Sequence, residues 1–456
     1  MTEMTTNETP SVDWWTTRTD AQLVADARAL FEERFGASAS AAGAAGDGAD
    51  GAVCEGVWAA PGRVNLIGEH VDYAGGMSLP FALPQNTAAA AGRRSDGILR
   101  VVSAEPGTAG TGAADADAVQ SAEVALSDIG AGNPASWAGY AAGAVWAGLQ
   151  DGVIPDCGGL DIALVSDVPL GAGVSSSAAL ECSVALAAHE LSTGHTPYES
   201  DTERLVTACI RAENEVVGAS TGGLDQRSSF YGRPGKTLVA DFLADTVDLV
   251  DCDLAGAGLS LLVINTNAQH SLADGQYASR REVIDGVAES LGVDTIGAAL
   301  EKFSDEEIYD AAARWSSTAN PRAASPREVQ SRVAHVVEEI RRTREGALPL
   351  LHRAGSSLEQ DAPALGALIN ASHESLRDQF EVTVPELDCA QEAALDAGAY
   401  GSRMIGGGFG GSVVALVASD AVDTVATAVA AAAAYRGLPA PTFFTAEPSA
   451  GARRLD

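Results

Sequence analysis

The stretch Pro169-Leu-Gly-Ala-Gly-Val-Ser-Ser-Ser-Ala-Ala-Leu-Glu181 limits the fold more than any other part of the chain. Leu160-Asp-Ile-Ala-Leu-Val-Ser166 leads into it and reads as a strand. Leu180, Val184, Ala187 and Leu191 follow at helical spacing. The order is therefore strand, glycine-rich turn, helix. Gly171 and Gly173 let the backbone bend tightly and come close to a ligand. Ser175, Ser176 and Ser177 stand where the first helical turn has unpaired N–H groups. Such a helix start is an anion site, and phosphate is the anion it suits best. The same residues also suit an ordinary capped helix after a turn. Two glycines and some serines do not separate the two readings.

The 456 residues are enough for two or three domains. A net charge of −34 argues against nucleic acid and against an anionic membrane as partners. A nucleotide would have to be held by local Arg, backbone dipoles and a metal ion, because Lys236 and Lys302 are the only lysines. The six cysteines form no C-x-x-C pair, so no zinc pattern, redox motif or disulfide framework is expected. The N-terminal stretch, with Glu3, Asp13, Trp14 and Trp15, has no basic region and no apolar core, unlike a signal peptide. The most apolar late run, Val425 to Tyr435, is about half a membrane span. A reduced, cytoplasmic protein is expected.

Residues 1–17 read as a lead and Asp20 to Phe35 as a helix. Residues 36–56 and 106–123 are low-complexity inserts with little to bury. Between them, Gly56 to Tyr73 starts as a strand, breaks at Pro61-Gly62, resumes to Ile67 and ends in polar residues. Trp137 to Leu149 predicts a helix. Asp201 to Gly218 predicts another, capped by Asp201 or Thr202 and ended by Gly218. Residues 245–258 read as a domain junction, and 295–375 as mainly helical. Pro385 to Ala397 predicts a helix with proline in its first turn. Gly406-Gly-Gly-Phe-Gly-Gly411 is a second glycine-rich loop.

Glu213 falls on the apolar stripe of its helix, three residues after Ile210 and four before Val217. A carboxylate facing inward needs a cation or hydrogen-bond donors. A metal or a buried Arg would serve; a Glu at the stripe's edge with its head in water is the plainer reading. Glu69-His70-x-Asp72 puts three polar groups directly after an apolar strand. Carboxylates beside a histidine suit a polyhydroxylated ligand, since each carboxylate accepts from neighbouring hydroxyls. The His-x-Asp pair also suits a metal, but no second His or Cys cluster supplies further ligands. Asp225, after Gly222-Gly223-Leu224, could be a turn former, and Arg63 a surface residue. Gly235-Lys236-Thr237 matches the end of a P-loop, but Phe230 stands at the first glycine position. Lys236 then reads as part of a solvated turn. The G-x-G-x-x-G dinucleotide pattern fails as well, because serines follow Gly173.

Together these segments resemble the GHMP small-molecule kinases, and within them the galactokinase branch. Gly62-Arg-Val-Asn-Leu-Ile-Gly-Glu-His-Val-Asp-Tyr73 resembles that branch's sugar motif, Pro169 to Glu181 the family's ATP loop, and Gly401-Ser-Arg-Met-Ile-Gly-Gly-Gly-Phe-Gly-Gly-Ser412 its C-terminal motif. Gly223-Leu-Asp225-Gln226 and His270-Ser-Leu with Tyr277 and Arg280-Arg281 agree. The resemblance implies an α+β (mixed α/β) fold of two lobes, residues 1–250 and 251–456, with the active site in the cleft between them. It implies Asp225 as catalytic base with Arg63 beside it, and Mg²⁺ held by Ser177 and Glu213. It implies ATP phosphates wrapped by Gly171, Ala172, Gly173, Val174, Ser175, Ser176 and Ser177, and a sugar held by Glu69, His70, Asp72 and Tyr277. The implied reaction is ATP-dependent phosphorylation of galactose at its anomeric hydroxyl, by a monomer. N-acetylgalactosamine or arabinose would fit the same motifs, and a non-catalytic sugar sensor is the rival from another class. Val71, Leu224, Ser412 and Arg227 depart from the family's commoner residues, and Arg227 would alter the charge beside Asp225.

Overall fold

The computed structural model describes residues 12–36, 51–104, 119–219, 221–268, 273–319, 325–352 and 357–456. The middle of both low-complexity inserts and the His270-Ser-Leu segment lie outside the described residues. Strands, in chain order, are β1 Asp13–Trp14, β2 Gly56–Asn65, β3 Met77–Ser78, β4 Pro80–Arg93, β5 Ile98–Ala104, β6 Gln120–Ala125, β7 Leu160–Ser166, β8 Lys236–Asp241, β9 Thr246–Asp251, β10 Leu259–Asn265, β11 Gly401–Ile405, β12 Ser412–Ala418, β13 Thr442–Ala446 and β14 Arg453–Arg454.

Two large sheets carry the fold. The first runs β14-β2-β4-β7-β5-β6 and the second β1-β13-β10-β12-β11; a small β3-β8-β9 sheet lies beside them. Both large sheets are mixed: β5 runs parallel to β7 and β1 to β13, while the other paired neighbours are antiparallel.

Side-chain alternation sorts residues of the first sheet onto two buried faces. Trp58, Ala60, Ala89, Ala91 and Leu164 pack against Val145, Val184, Ala188 and Leu191 of helices Ala138–Asp151 and Ser176–Thr193. Val57, Ala88, Ala90, Ala163 and Val165 take the opposite face, under Leu23, Ala27 and Phe31 of helix Asp20–Phe35. The second sheet divides in the same way. Leu262, Ile264, Val413, Ala415 and Phe443 meet helices such as Pro326–Arg341 and Val422–Arg436. Leu261, Val263, Val414, Leu416 and Phe444 join Val64, Leu66, Leu79, Phe81, Val168 and Val174 in a further apolar core. Segments that lead to the glycine-rich loops thus share one interior.

The chain ends cross between the sheets. β1 pairs with β13 in the second sheet, and β14 pairs with β2 in the first.

Three expectations change. The strand predicted to break at Pro61-Gly62 is continuous: β2 absorbs the irregularity as a bulge between Pro61 and Arg63. The predicted junction contains strand β9, which pairs with β8 along its whole length and forms the edge of the small sheet, so most of its residues face solvent. The helix predicted at 201–218 is Glu199–Arg211 followed by a π-helical segment, Ala212–Val217, and Asp201 accepts from the Tyr198 N–H without being the cap residue itself. Among the described residues, no helix is long and apolar enough to cross a membrane.

Candidate active site

A cavity of about 490 Å³ is lined by Arg63, Glu69, His70, Asp72, Asp225 and Tyr277 together with Tyr140, Thr221, Gly406, Gly407, Gly408 and Phe409. Residues 150 or more apart in sequence meet because β2, the 218–225 turn and the β11–β12 loop converge on one edge of the shared core.

Arg63 is aimed by the β2 bulge. Its backbone N–H donates to the Val174 carbonyl at 3.0 Å. The approach requires glycine next to it: a Cβ on Gly62 would lie 2.5 Å from the Val174 oxygen. The Arg63 guanidinium then does two things. Nη1 donates to the Gly173 carbonyl at 2.7 Å, and Nη2 pairs with Asp225 Oδ1 at 2.8 Å. It is therefore not the surface residue that the plainer reading allowed.

Asp225 sits in the first turn of helix Leu224–Tyr231. A Cβ on Gly222 would lie 2.4 Å from Asp72 Oδ2, so this glycine lets the turn pack onto the sugar motif. Ser175 Oγ donates to Asp225 Oδ2. This differs from the expected capping role: Ser175 has φ +62°, and no side chain caps the start of helix Ser176–Thr193. The serine hydroxyl is committed to Asp225, while the first helical turn carries no acidic residue and stays suited to an anion. Gly171 to Ser177 stand beside the cavity and do not line it. Arg63 and Asp225 form the link between this loop and the cavity. Ser412 Oγ ties the loop to the second glycine-rich segment by donating to the Ala172 carbonyl at 2.6 Å.

Glu213 is buried, and its head is not in water at the stripe's edge as the plainer reading had it. It receives Ser177 Oγ at 3.3 Å, Thr221 Oγ1 at 2.9 Å and Gln226 Nε2 at 2.7 Å. Gln226 also donates to the fully buried Glu181 at 3.0 Å. Burial, then the Asp225 charge, raises the Glu213 carboxyl above the usual range; burial, then Glu213, raises Glu181 further. Glu181 Oε1 and Gln226 Oε1 have no hydrogen-bond partner. All-oxygen donors, crowded carboxylates and unsatisfied oxygens together fit a hard divalent cation such as Mg²⁺.

On the other side, Glu69 is buried and paired with Arg403 Nη1 at 2.7 Å. Arg403 is wholly buried and also donates to the carbonyls of Leu66, Met404 and Asn65. Gly68 and Glu69 N–H groups donate to Glu339 Oε1 at 3.0 and 3.2 Å. His70 has φ +60°. Its Nδ1 faces the Tyr73 hydroxyl at 3.3 Å, and its buried Nε2 has no partner. Burial holds its pKa well below the ordinary value, so the ring is neutral. Burial, helped by the Asp225 charge, pushes the Asp72 carboxyl up to about 6. The Tyr277 ring stands 5.5 Å from His70. Among the described residues, His70, Ser175 and Phe409 are three of the six non-glycine residues with positive φ, and all three stand at this site.

Arg227 does not change the charge beside Asp225: it pairs with Asp245 and lies over Phe242 at 4.9 Å. Lys236 pairs with Asp251 on the β8–β9 hairpin, in accord with a solvated turn. Sequence reasoning missed Arg403, Glu339 and Glu181 as site residues. Arg403 carried a signal, a charged residue inside the short strand from Ser402 to Ile405. Glu339 stands on a helix 270 residues away from the backbone it holds and carried none.

Three family models match this chain. The galactokinase galactose-binding signature matches residues 49–93, the GHMP kinases N terminal domain residues 139–233, and the GHMP kinases C terminal domain residues 347–435. A galactokinase of Streptomyces coelicolor is 42% identical over 414 residues, covering 89% of this chain and 95% of the relative. The human galactokinase is 36% identical over 403 residues, covering 88% and 90%. A crystal structure of Lactococcus lactis galactokinase complexed with galactose superposes with a TM-score of 0.74 at 26% identity, covering 94% of this chain and 99% of that one. Matched by these family models and 36–42% identical to these galactokinases over most of its length, the chain belongs to the galactokinase family of GHMP kinases.

Proposed function

We propose that this protein transfers the terminal phosphoryl group of ATP to the anomeric hydroxyl of D-galactose, giving α-D-galactose 1-phosphate and ADP. The carrying observation is the Arg63–Asp225 pair. It faces the cavity of Glu69, His70, Asp72 and Tyr277, and Ser175 of the glycine-rich loop is bonded to the same aspartate. The sugar hydroxyl and the phosphate are thereby brought to one carboxylate.

Glu69, Asp72 and the unpartnered His70 Nε2 would bind sugar hydroxyls, with Tyr277 along one side. Gly171 to Ser177 would hold the phosphates through backbone N–H groups and the helix start. Ser177 and Glu213 would hold Mg²⁺, which when bound offsets charge on the transferring group. Asp225 accepts the proton of the reacting hydroxyl, and Arg63 holds that carboxylate in place. A sugar hydroxyl is far less acidic than a carboxylic acid, so complete early transfer to Asp225 is steeply uphill. The proton moves with, or after, the new P–O bond. The reading includes a monomer acting in the cytoplasm, with the lobes dividing near residue 250.

The test is ADP release with Mg²⁺-ATP against galactose, N-acetylgalactosamine, arabinose and glucose. Fastest turnover on galactose, with a 1-phosphate product, supports the proposal. Faster turnover on another sugar overturns the substrate. Sugar binding without turnover overturns the enzyme.

A further inference from the structure

Helices Ser176–Thr193 and Glu199–Arg211 form a hairpin. At its open end Ser177 meets Glu213. Its closed end carries a second chemical cluster that phosphoryl transfer does not use. His189, His195 and Asp201 each offer a ligand atom there, and these atoms lie within 4.8 Å of one another.

The two imidazoles are held in one tautomer. His189 Nδ1 faces the Val153 carbonyl at 2.7 Å, and His195 Nδ1 faces the Thr196 carbonyl at 2.9 Å. A carbonyl only accepts, so each Nδ1 carries the proton and each Nε2 keeps its lone pair. A backbone carbonyl on the far nitrogen is the usual support of a metal-ligating histidine. His189 is 2% exposed, and its Nε2 has no hydrogen-bond partner. That buried lone pair belongs to one of the three residues whose ligand atoms meet in the cluster. Asp201 supplies a carboxylate whose other contacts are the Tyr198 N–H at 3.2 Å and Arg204 at 4.0 Å. His189 also lies one turn before the C-terminal end of its helix.

We propose that His189, His195 and Asp201 bind one divalent transition-metal ion, with zinc the best fit to two imidazoles and a carboxylate. Tetrahedral zinc wants ligand atoms about 3.3 Å apart at its usual bond lengths of about 2.0–2.1 Å. His195 is on the surface and Asp201 is half-buried, so side-chain rotation can close the cluster onto the fixed His189. The ion would clip the closed end of the hairpin whose open end holds Ser177 and Glu213.

The test titrates the full chain with Zn²⁺ and, separately, with Co²⁺, following heat and the visible spectrum. The wild type is expected to bind one equivalent and to show the bands of tetrahedral cobalt. His195→Gln should weaken Zn²⁺ binding by at least about tenfold and lose those bands. Asp201→Asn, which can still accept from Tyr198, should weaken it as well. Sugar phosphorylation and the metal-free melting temperature of His195→Gln should match the wild type, while Zn²⁺ raises the melting temperature of the wild type alone. Equal Zn²⁺ affinity in wild type and His195→Gln, no binding, or thiolate-to-cobalt charge-transfer absorption from cysteine ligands would each overturn the proposal.

Discussion

The two sides of the cavity treat buried negative charge in opposite ways. On the sugar side, Glu69 has Arg403 as a full counter-ion, and its backbone is pinned by Glu339. On the phosphate side, Glu213 and Glu181 are met by neutral donors, Ser177, Thr221 and Gln226, and both carboxyls are raised by burial and by neighbouring carboxylates. A buried carboxylate with its guanidinium is a finished structural unit. Carboxylates that repel one another, as Glu213 and Glu181 do, carry charge that their neutral donors do not cancel. Glu69 is therefore neutralised in advance, whereas Glu213 and Glu181, and on the sugar side Asp72, have their carboxyls raised by burial and a neighbouring carboxylate.

The largest effect expected is on turnover. Asp225→Asn keeps the shape of the Arg63 contact but removes the proton acceptor, so kcat should fall by about 10²–10⁴ while ATP binding persists. Steady-state kinetics beside nucleotide titration checks this, and full activity would remove Asp225 from its role.

Next comes a paired stability measurement. Arg403→Met strands the Glu69 charge in the core and should cost about 3–5 kcal/mol in urea unfolding. Glu213→Gln removes a charge that the fold does not compensate, so unfolding stability should stay level or rise even as activity is lost. Equal destabilisation by both would break the contrast between the two sides.

The smallest effect concerns pH. Asp72 has its carboxyl raised to about 6, above the ordinary value of an unfolded aspartate. The folded state therefore holds this proton more tightly than the unfolded chain. The stability it contributes is full below about pH 4 and is lost as pH rises through about 6. Asp72→Asn should be more stabilising at pH 7 than at pH 4, read as the difference in melting temperature between variant and wild type. The wild type should also bind galactose less well below about pH 6, because a protonated Asp72 loses acceptor capacity toward a sugar hydroxyl. A pH-independent difference in melting temperature would mean that Asp72 is not the group that titrates there.

Local patterns made much of this legible. The glycine-rich turn between Ser166 and Ser176, the helix Asp20–Phe35 and the inward Glu213 could each be read from spacing of a few residues. Spacing of that kind is set by the helical and strand repeats, which do not depend on the rest of the molecule. Ser175 shows where local reading stops. Its place before a helix predicts a cap, and its hydroxyl goes to Asp225, 50 residues away. Arg227 is the converse case, a neighbour of Asp225 in sequence whose side chain turns to Asp245.

By itself, then, the sequence determined many of the helices and about half of the strands, though not the long strand β4 or the helix Val422–Arg436, together with the glycines at the turns and which polar residues stand on otherwise apolar segments. Periodicity and backbone sterics act over one or two turns, and the chain carries that information directly. The resemblance to GHMP kinases added the expected roles. Only the tertiary structure decided that Arg403 neutralises Glu69, that Glu339 holds the turn before it, and that Arg63 bridges Gly173 and Asp225. Those pairings depend on which segments the shared apolar core brings together. Their free energy comes from burial and from charges meeting across hundreds of residues, and no local pattern encodes it.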